Sequence, residues 1–344
     1  MADGKSRSVH LVGSIPLESN TEVFQAVSSA LSGLVKRIPD GETGKRKYWI
    51  MWQDEVVRHH PGFEVSGRKW SVNELTFDIF QLKPGVVPEE IEFGPLGYAR
   101  VASESYQEFS RLRAAGQIKN GTRFQVSLPT PLPVLNLFFE KDVIPRLLGS
   151  YERQLKAEVD EICRVVPAQD LAIQWDICHE IVFVIEQPDS DLARNLRVDD
   201  LISTIVRLTD SVPNAAEVGW HLCYGDPGHK HVVEPKDTGV MVDLANRLFA
   251  KTVRTINWIH MPVPRDRDDD HYFTPLNRLR LPRQTELYLG VVHMTDGLPG
   301  AKKRMATASK FVREFGVATE CGLGRRPPET IPDVLAMHRS VAGL

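Results

Sequence analysis

Apolar, β-branched runs recur along the chain, each ending in polar residues, glycine or proline. Eight of them stand out: residues 9–16 (VHLVGSIP), 35–42, 123–131, 170–177, 217–225, 255–263, 286–294 and 316–322. Between them, apolar positions fall at helical spacing over 19–33, 142–165, 197–211, 238–252 and 300–315. Near-continuous apolar strands alternating with helices read as parallel strands covered on both faces. Eight such units predict an α/β fold, a single (β/α)8 TIM barrel spanning residues 1–344, with an open doubly wound sheet as the alternative.

One connection departs from the repeat. About 80 residues, 43–122, separate the second and third strands. They hold two further strand-like pieces, TFDIFQLKPG and IEFGPLGYAR, and the helix-like VASESYQEFSRLRAAG. A connection of that length usually carries function or structure of its own. It is expected to form an inserted segment over the catalytic face, either a lid or a stabilising cover.

Composition narrows the classes. The chain has 344 residues, is 42% hydrophobic and 25% charged, and sets 42 Lys and Arg against 45 Asp and Glu. Those values exclude a low-complexity or largely disordered chain. The balance of charge lacks the basic excess of a nucleic-acid binder, so small-molecule partners are expected instead. No apolar run reaches membrane-spanning length, and MADGKSRSVH lacks the apolar core of a secretory leader, so no membrane partner and a cytoplasmic location are expected. Cys163, Cys178, Cys223 and Cys321 are too sparse for a disulfide scaffold, and Cys163 fits a small buried apolar position.

A barrel collects its chemistry at the C-terminal ends of its strands. Those ends carry Ser14, Asp40, Glu42, Asp176, His221, Cys223, His260, His293 and Cys321. In His221-Leu-Cys223 the first and third side chains of a strand share a face, so a nitrogen and a sulfur enter one cavity as a ligand pair suited to zinc. Cys321, before the turn Gly-Leu-Gly, offers a second thiolate, and His260 could complete a tetrahedron.

At these residues the chain resembles the C-terminal catalytic barrel of cobalamin-independent methionine synthase, within the superfamily that includes uroporphyrinogen decarboxylase and the epoxyalkane:thiol transferases. LVGSIP resembles that family's G-S-F-P, PDGETGKRKYW its G-E-P-E-R-N, and PTPLPVLNLFF its G-P-V-T segment. IQWDI resembles Q-I-D-E-P, HLCYGD resembles H-M-C-Y, and TECGLGRR resembles D-C-G-L-K-T-R, all in collinear order. The resemblance implies zinc held by His221, Cys223 and Cys321. The family's fourth ligand, a Glu, falls where this chain has His260. The loop GDPGHKHVVEPKD offers His229, His231 and Glu234 as alternatives.

The resemblance further implies that Ser14, Glu42 and Asp176 bind the amino-acid part of a thiol substrate, although Ser14 could equally cap a turn and Asp176 could orient a zinc-ligating histidine. The family's pterin-stacking Trp corresponds to Leu137, with Phe138 and Phe139 nearby, and its catalytic His segment to VVHMTD, which places His293 as the proton shuttle. Lys45, Arg46 and Arg100 could bind an anionic part of the donor. The expected chemistry is therefore a zinc-dependent methyl- or alkyltransferase acting on a small-molecule thiol and an alkyl donor, distinct from the standard folate-dependent enzyme. A zinc-dependent lyase or hydrolytic enzyme using the metal as a Lewis acid is the alternative within enzymes, and a non-catalytic ligand-binding barrel the alternative outside them.

Overall fold

The computed structural model describes residues 6–72 and 75–344, with His229 described by its backbone alone. Seven parallel strands form one sheet: β1 (Arg37–Pro39), β4 (Arg123–Pro129), β5 (Leu171–Ile177), β6 (Glu217–Leu222), β7 (Trp258–Pro262), β8 (Glu286–Gly290) and β9 (Gly316–Val317), in that spatial order. Between β1 and β4 in sequence, β2 (Phe63–Val72) and β3 (Leu75–Leu82) make a separate antiparallel pair. Strand β5 is buried at every position, which explains its mostly apolar sequence; its two polar residues, Gln174 and Asp176, are buried as well.

The sheet curls. Arg37, at the start of β1, reaches Glu217 at 2.5 Å and Glu286 at 2.9 Å, the first residues of β6 and β8, neither of which neighbours β1 in the sheet. Its guanidinium also lies 4.1 Å from the Trp258 ring centroid. The predicted first strand, 9–16, is reduced to Val9, which bridges in parallel to both Val35 and Val317 and so sits between the two edges of the sheet. The rest of that stretch is held differently. Gln125 donates to the carbonyls of Leu11 and Val12, and Gln174 and Ser127 donate to Val12, so side-chain donors take the place of a strand ladder.

Helices follow most strands and pack on one another in succession: Asn20–Leu31 touches both Ile331–Ala342 and Tyr98–Ala114, and Ile144–Val165 touches both Tyr98–Ala114 and Val198–Ser211. Within the long connection, TFDIFQLKPG forms β3, but IEFGPLGYAR forms no strand. Gly94 and Gly97 there take φ of 67° and 91°, which breaks an extended run. Helix Tyr98–Ala114 is capped from a distance. Buried Glu158 accepts from the backbone N–H groups of Leu96 at 2.6 Å, Gly97 at 3.1 Å and Ala99 at 2.6 Å. No helix among the described residues is long and apolar enough to cross a membrane.

Candidate metal and substrate site

Parallel register sets Asp176 of β5 opposite His221 of β6, and His221 opposite His260 of β7, so three polar side chains stand side by side near the strand ends. Just beyond β6 lies Cys223, and the turn after β9 brings in Cys321. Donor atoms of His221, Cys223 and Cys321 lie within 4.8 Å of one another. The two sulfurs are 3.9 Å apart, and Cys321 Sγ is 3.8 Å from His221 Nε2.

Hydrogen bonding fixes the state of His221. His260 Nε2 is 3.0 Å from the carbonyl oxygen of Thr319, which can only accept, so Nε2 carries the proton. Burial holds the His260 pKa down to about 3, leaving its Nδ1 as an acceptor. His221 Nδ1 lies 2.7 Å from that atom and donates to it. Burial, then His260, likewise keep His221 far below its usual pKa, so its Nε2 presents a lone pair toward the thiols. That is the tautomer a metal-ligating histidine needs, with the outer nitrogen oriented by a buried partner. The structure thus places His260 behind His221, with both ring nitrogens engaged, rather than beside the sulfurs.

Both thiols are held well above their ordinary pKa. For Cys223 the contact with Cys178 comes first, and for Cys321 the contact with Cys223. Crowded, buried thiols of this kind ionise when a divalent cation joins them. A neutral imidazole lone pair and two sulfurs at this spacing fit zinc chemically. The backbone N–H of Gly225 already donates to Cys223 Sγ at 3.3 Å. Arg325 lines the same cavity and pairs with Asp226. Burial opposes its charge, but Cys321 and Asp226 outweigh that and raise its pKa further.

The cluster opens on a cavity of about 320 Å³. Ser14, Glu42 and Asp176 line it together with the cluster, as does an apolar group that includes Trp49, Trp70, Leu137, Val182 and Phe183. Asp176 accepts from Gln174 Nε2 at 2.9 Å and from Trp49 Nε1 at 3.1 Å; burial nevertheless lifts its pKa to about 8. Glu42 sits at φ 47°, a costly backbone state for a residue other than glycine, and its amide is held by Asp40 at 2.8 Å. Burial, then Asp176 and Asp40, push the Glu42 pKa well up. Two acids facing one cavity, with Arg46 committed to Asp40 and Arg325 to Asp226, are suited to a cationic group. Ser14 is clasped by the Gly-Leu-Gly turn. A Cβ on Gly322 would lie 2.5 Å from Ser14 Oγ, and one on Gly324 would lie 2.1 Å from the Lys47 carbonyl oxygen. Only glycine allows that approach.

His293 lies in a second, polar cavity of about 570 Å³ that shares Asp226, Cys321 and Gly322 with the first. Its Nε2 is 2.9 Å from the Val263 carbonyl oxygen, and its Nδ1 faces Glu320 at 3.5 Å. His231 stands between Glu320 at 3.2 Å and Glu234 at 3.1 Å. Burial opposes charge on His231, but the two carboxylates outweigh it and lift its pKa to about 9. Glu234 is thus engaged at His231 and not gathered with the sulfurs. The cations at Lys45, Arg46 and Arg100 line neither cavity; they pair with Glu55, Asp40 and Glu104. Phe138 and Phe139 are buried in the core, and the aromatic faces beside Leu137 come from Trp49, Trp70 and Phe183. Trp49, His179 and Arg325 are cavity residues that the sequence pattern does not single out, since Trp49 and Arg325 sit in turns and His179 at the start of a short helical turn, none with a period or a recognisable spacing.

No family model matches the chain, and no curated protein matches its sequence. Solved structures match in fold. A B12-independent methionine synthase from Shewanella sp. W3-18-1, in complex with selenomethionine, superposes with a TM-score of 0.61 at 13% identity, covering 98% of this chain and 97% of that one. A methyltransferase from Methanosarcina mazei superposes with a TM-score of 0.55 at 13% identity, covering 98% and 94%. The chain has the α/β fold of these proteins along essentially its whole length.

Proposed function

We propose that the chain is a zinc-dependent methyl- or alkyltransferase whose acceptor is the sulfur of a small thiol. The observation that carries this reading is the His221, Cys223 and Cys321 cluster, with donor atoms within 4.8 Å of one another and the His221 lone pair turned toward the sulfurs. These three donors would hold the ion and leave a position for a substrate sulfur. Zinc, when bound, supplies the positive charge that keeps a thiol ionised and nucleophilic at neutral pH. The fold shared with a methionine synthase and a methyltransferase supports group transfer as the reaction class.

The chain's own residues do the rest. Glu42 and Asp176 receive a cationic group such as an ammonium, whose charge returns both to the ionised form, and Trp49 holds Asp176 in place. Ser14 fixes the opposite polar end of the same substrate. Trp49, Trp70 and Leu75, all from the 43–122 segment, line the cavity and would shield a bound substrate from water. His293 handles the leaving group's proton from the second cavity, with Glu320 beside it.

The test is product formation with and without thiol. Homocysteine and other small thiols, paired with a panel of methyl donors, are incubated with zinc-loaded protein and the methylated thiol is followed by mass spectrometry. Thiol-dependent product that disappears in Cys223→Ser and Cys321→Ser is expected. Turnover of a donor in the absence of any thiol contradicts the proposal and favours Lewis-acid lyase or hydrolytic chemistry.

A further inference from the structure

A second polar device, ending in His179, faces the same cavity. Lys141 lies 2.7 Å from Asn136 Oδ1 and also contacts the Asn136 backbone carbonyl. An ammonium only donates, so the side-chain atom it touches must be the amide oxygen, and the orientation of the Asn136 amide is fixed. Asn136 Nδ2 then faces His179 Nδ1 at 3.0 Å and donates to it. His179 Nδ1 is therefore the acceptor, and in the neutral ring the proton sits on Nε2. Asn136 and His179 are both buried, and burial followed by the charge on Lys141 holds the His179 pKa down to about 3, so the ring is neutral at any physiological pH.

The Nε2–H has no partner among the described residues and is not sealed from the cavity that His179 lines. Around it are rings and aliphatic groups: Trp49 lies edge-on at 5.8 Å between centroids, Phe183 edge-on at 4.8 Å, with Val182 and Leu137 also on the cavity wall. His179 caps the π-helical turn Glu180–Ile185 after β5, a form of helix that often marks functional positions. A single oriented donor in an apolar wall is the usual way a pocket demands one polar atom of a ligand.

We propose that His179 is a specificity-determining residue, whose Nε2–H selects a neutral oxygen acceptor, a carbonyl or ether oxygen, on an otherwise apolar, ring-sized body of the substrate. A ligand without that oxygen leaves a buried donor unmet, and sites built to bond a polar atom reject such analogues strongly. A carboxylate gains no opposite charge from a neutral ring. This inference takes from the proposed function only that the substrate occupies this cavity; it requires neither the metal nor the transfer step.

The test uses two probes of the same shape, acetophenone and α-methylstyrene, which differ in C=O against C=CH₂. Binding to the full-length protein is measured by calorimetry and by quenching of tryptophan fluorescence, with no thiol, donor or added metal. Wild type is expected to bind acetophenone roughly tenfold more tightly. His179→Phe is expected to bind both probes with equal affinity. Equal binding by wild type, binding of neither probe, or a preference that survives in His179→Phe overturns the proposal. Independently of any variant's folding, nitrogen NMR of the wild-type histidines is expected to show His179 as the Nε2–H tautomer. The Nδ1–H tautomer or an imidazolium overturns it as well. Because neither readout involves alkyl transfer, failure here and failure of the transferase reading are separately visible.

Discussion

Replacing His260 by phenylalanine separates two roles that look alike in sequence, a zinc ligand and a residue that orients one. The ring is fully buried, accepts from His221 Nδ1 at 2.7 Å and donates to Thr319 at 3.0 Å. Phenylalanine keeps most of the volume but leaves a buried N–H and a buried carbonyl without partners. At about 1–3 kcal/mol for each unmet group, the expected loss of stability is about 2–6 kcal/mol. That is a large share of a domain's usual margin of about 5–15 kcal/mol, so circular dichroism melting must accompany the assay. On the metal, loss of an orienting partner weakens affinity by about ten- to a hundredfold without removing the site. Competition between the folded protein and a chelator of known affinity measures this. The expected result is a full complement of zinc at saturation with the weakened affinity. Zinc stoichiometry that collapses as in Cys223→Ala would make His260 a ligand, and unchanged affinity would remove its orienting role; either refutes the hydrogen-bond argument.

Other consequences can be checked directly. Asp176, at about 8, keeps a proton in the folded state that the unfolded chain has already lost, so metal-free stability falls as pH rises from about 4 and levels off above about 8. Asp176→Asn is expected to flatten that slope in melting curves taken between pH 5 and 8, and an unchanged slope would show that Asp176 does not cause it. Glu158→Ala removes a carboxylate that accepts from three backbone N–H groups; it is expected to cost about 3 kcal/mol or more in denaturant unfolding while leaving zinc affinity unaltered. Gly324→Ala forces a methyl group against Lys47 and Ser14 and is expected to weaken binding of an amino-acid thiol, with calorimetry as the readout.

Much of the architecture is legible because parallel strands buried on both faces need long apolar runs, and the runs at 123–131, 170–177, 217–225, 255–263 and 286–294 contain β4 to β8. Where the pattern misled, local chemistry explains it. Residues 9–16 look like a strand, yet Gln125, Gln174 and Ser127 take the carbonyls that a neighbouring strand would have used. The hairpin partner β2 escapes notice because its alternation is polar-rich and interrupted by Gly67 at φ 85° and a register shift. In the candidate site, the strand-end rule gathers His221, Cys223 and Cys321 from sequence alone, and the structure brings them together. That His260 turns its nitrogens to His221 and Thr319 is set by contacts across strands, which no spacing encodes. Trp49 is equally hidden, since its indole reaches Asp176 from a loop at φ 60°.

Metal content bears most directly on the central claim. Protein purified under reducing conditions, together with His221→Ala and Cys321→Ala, is analysed for bound metal by mass spectrometry, before and after equilibration with zinc. The account predicts about one zinc per chain in the wild type and its loss in both variants with folding intact. Wild-type protein that neither carries zinc nor takes it up contradicts the thiol-activation chemistry proposed for this cavity.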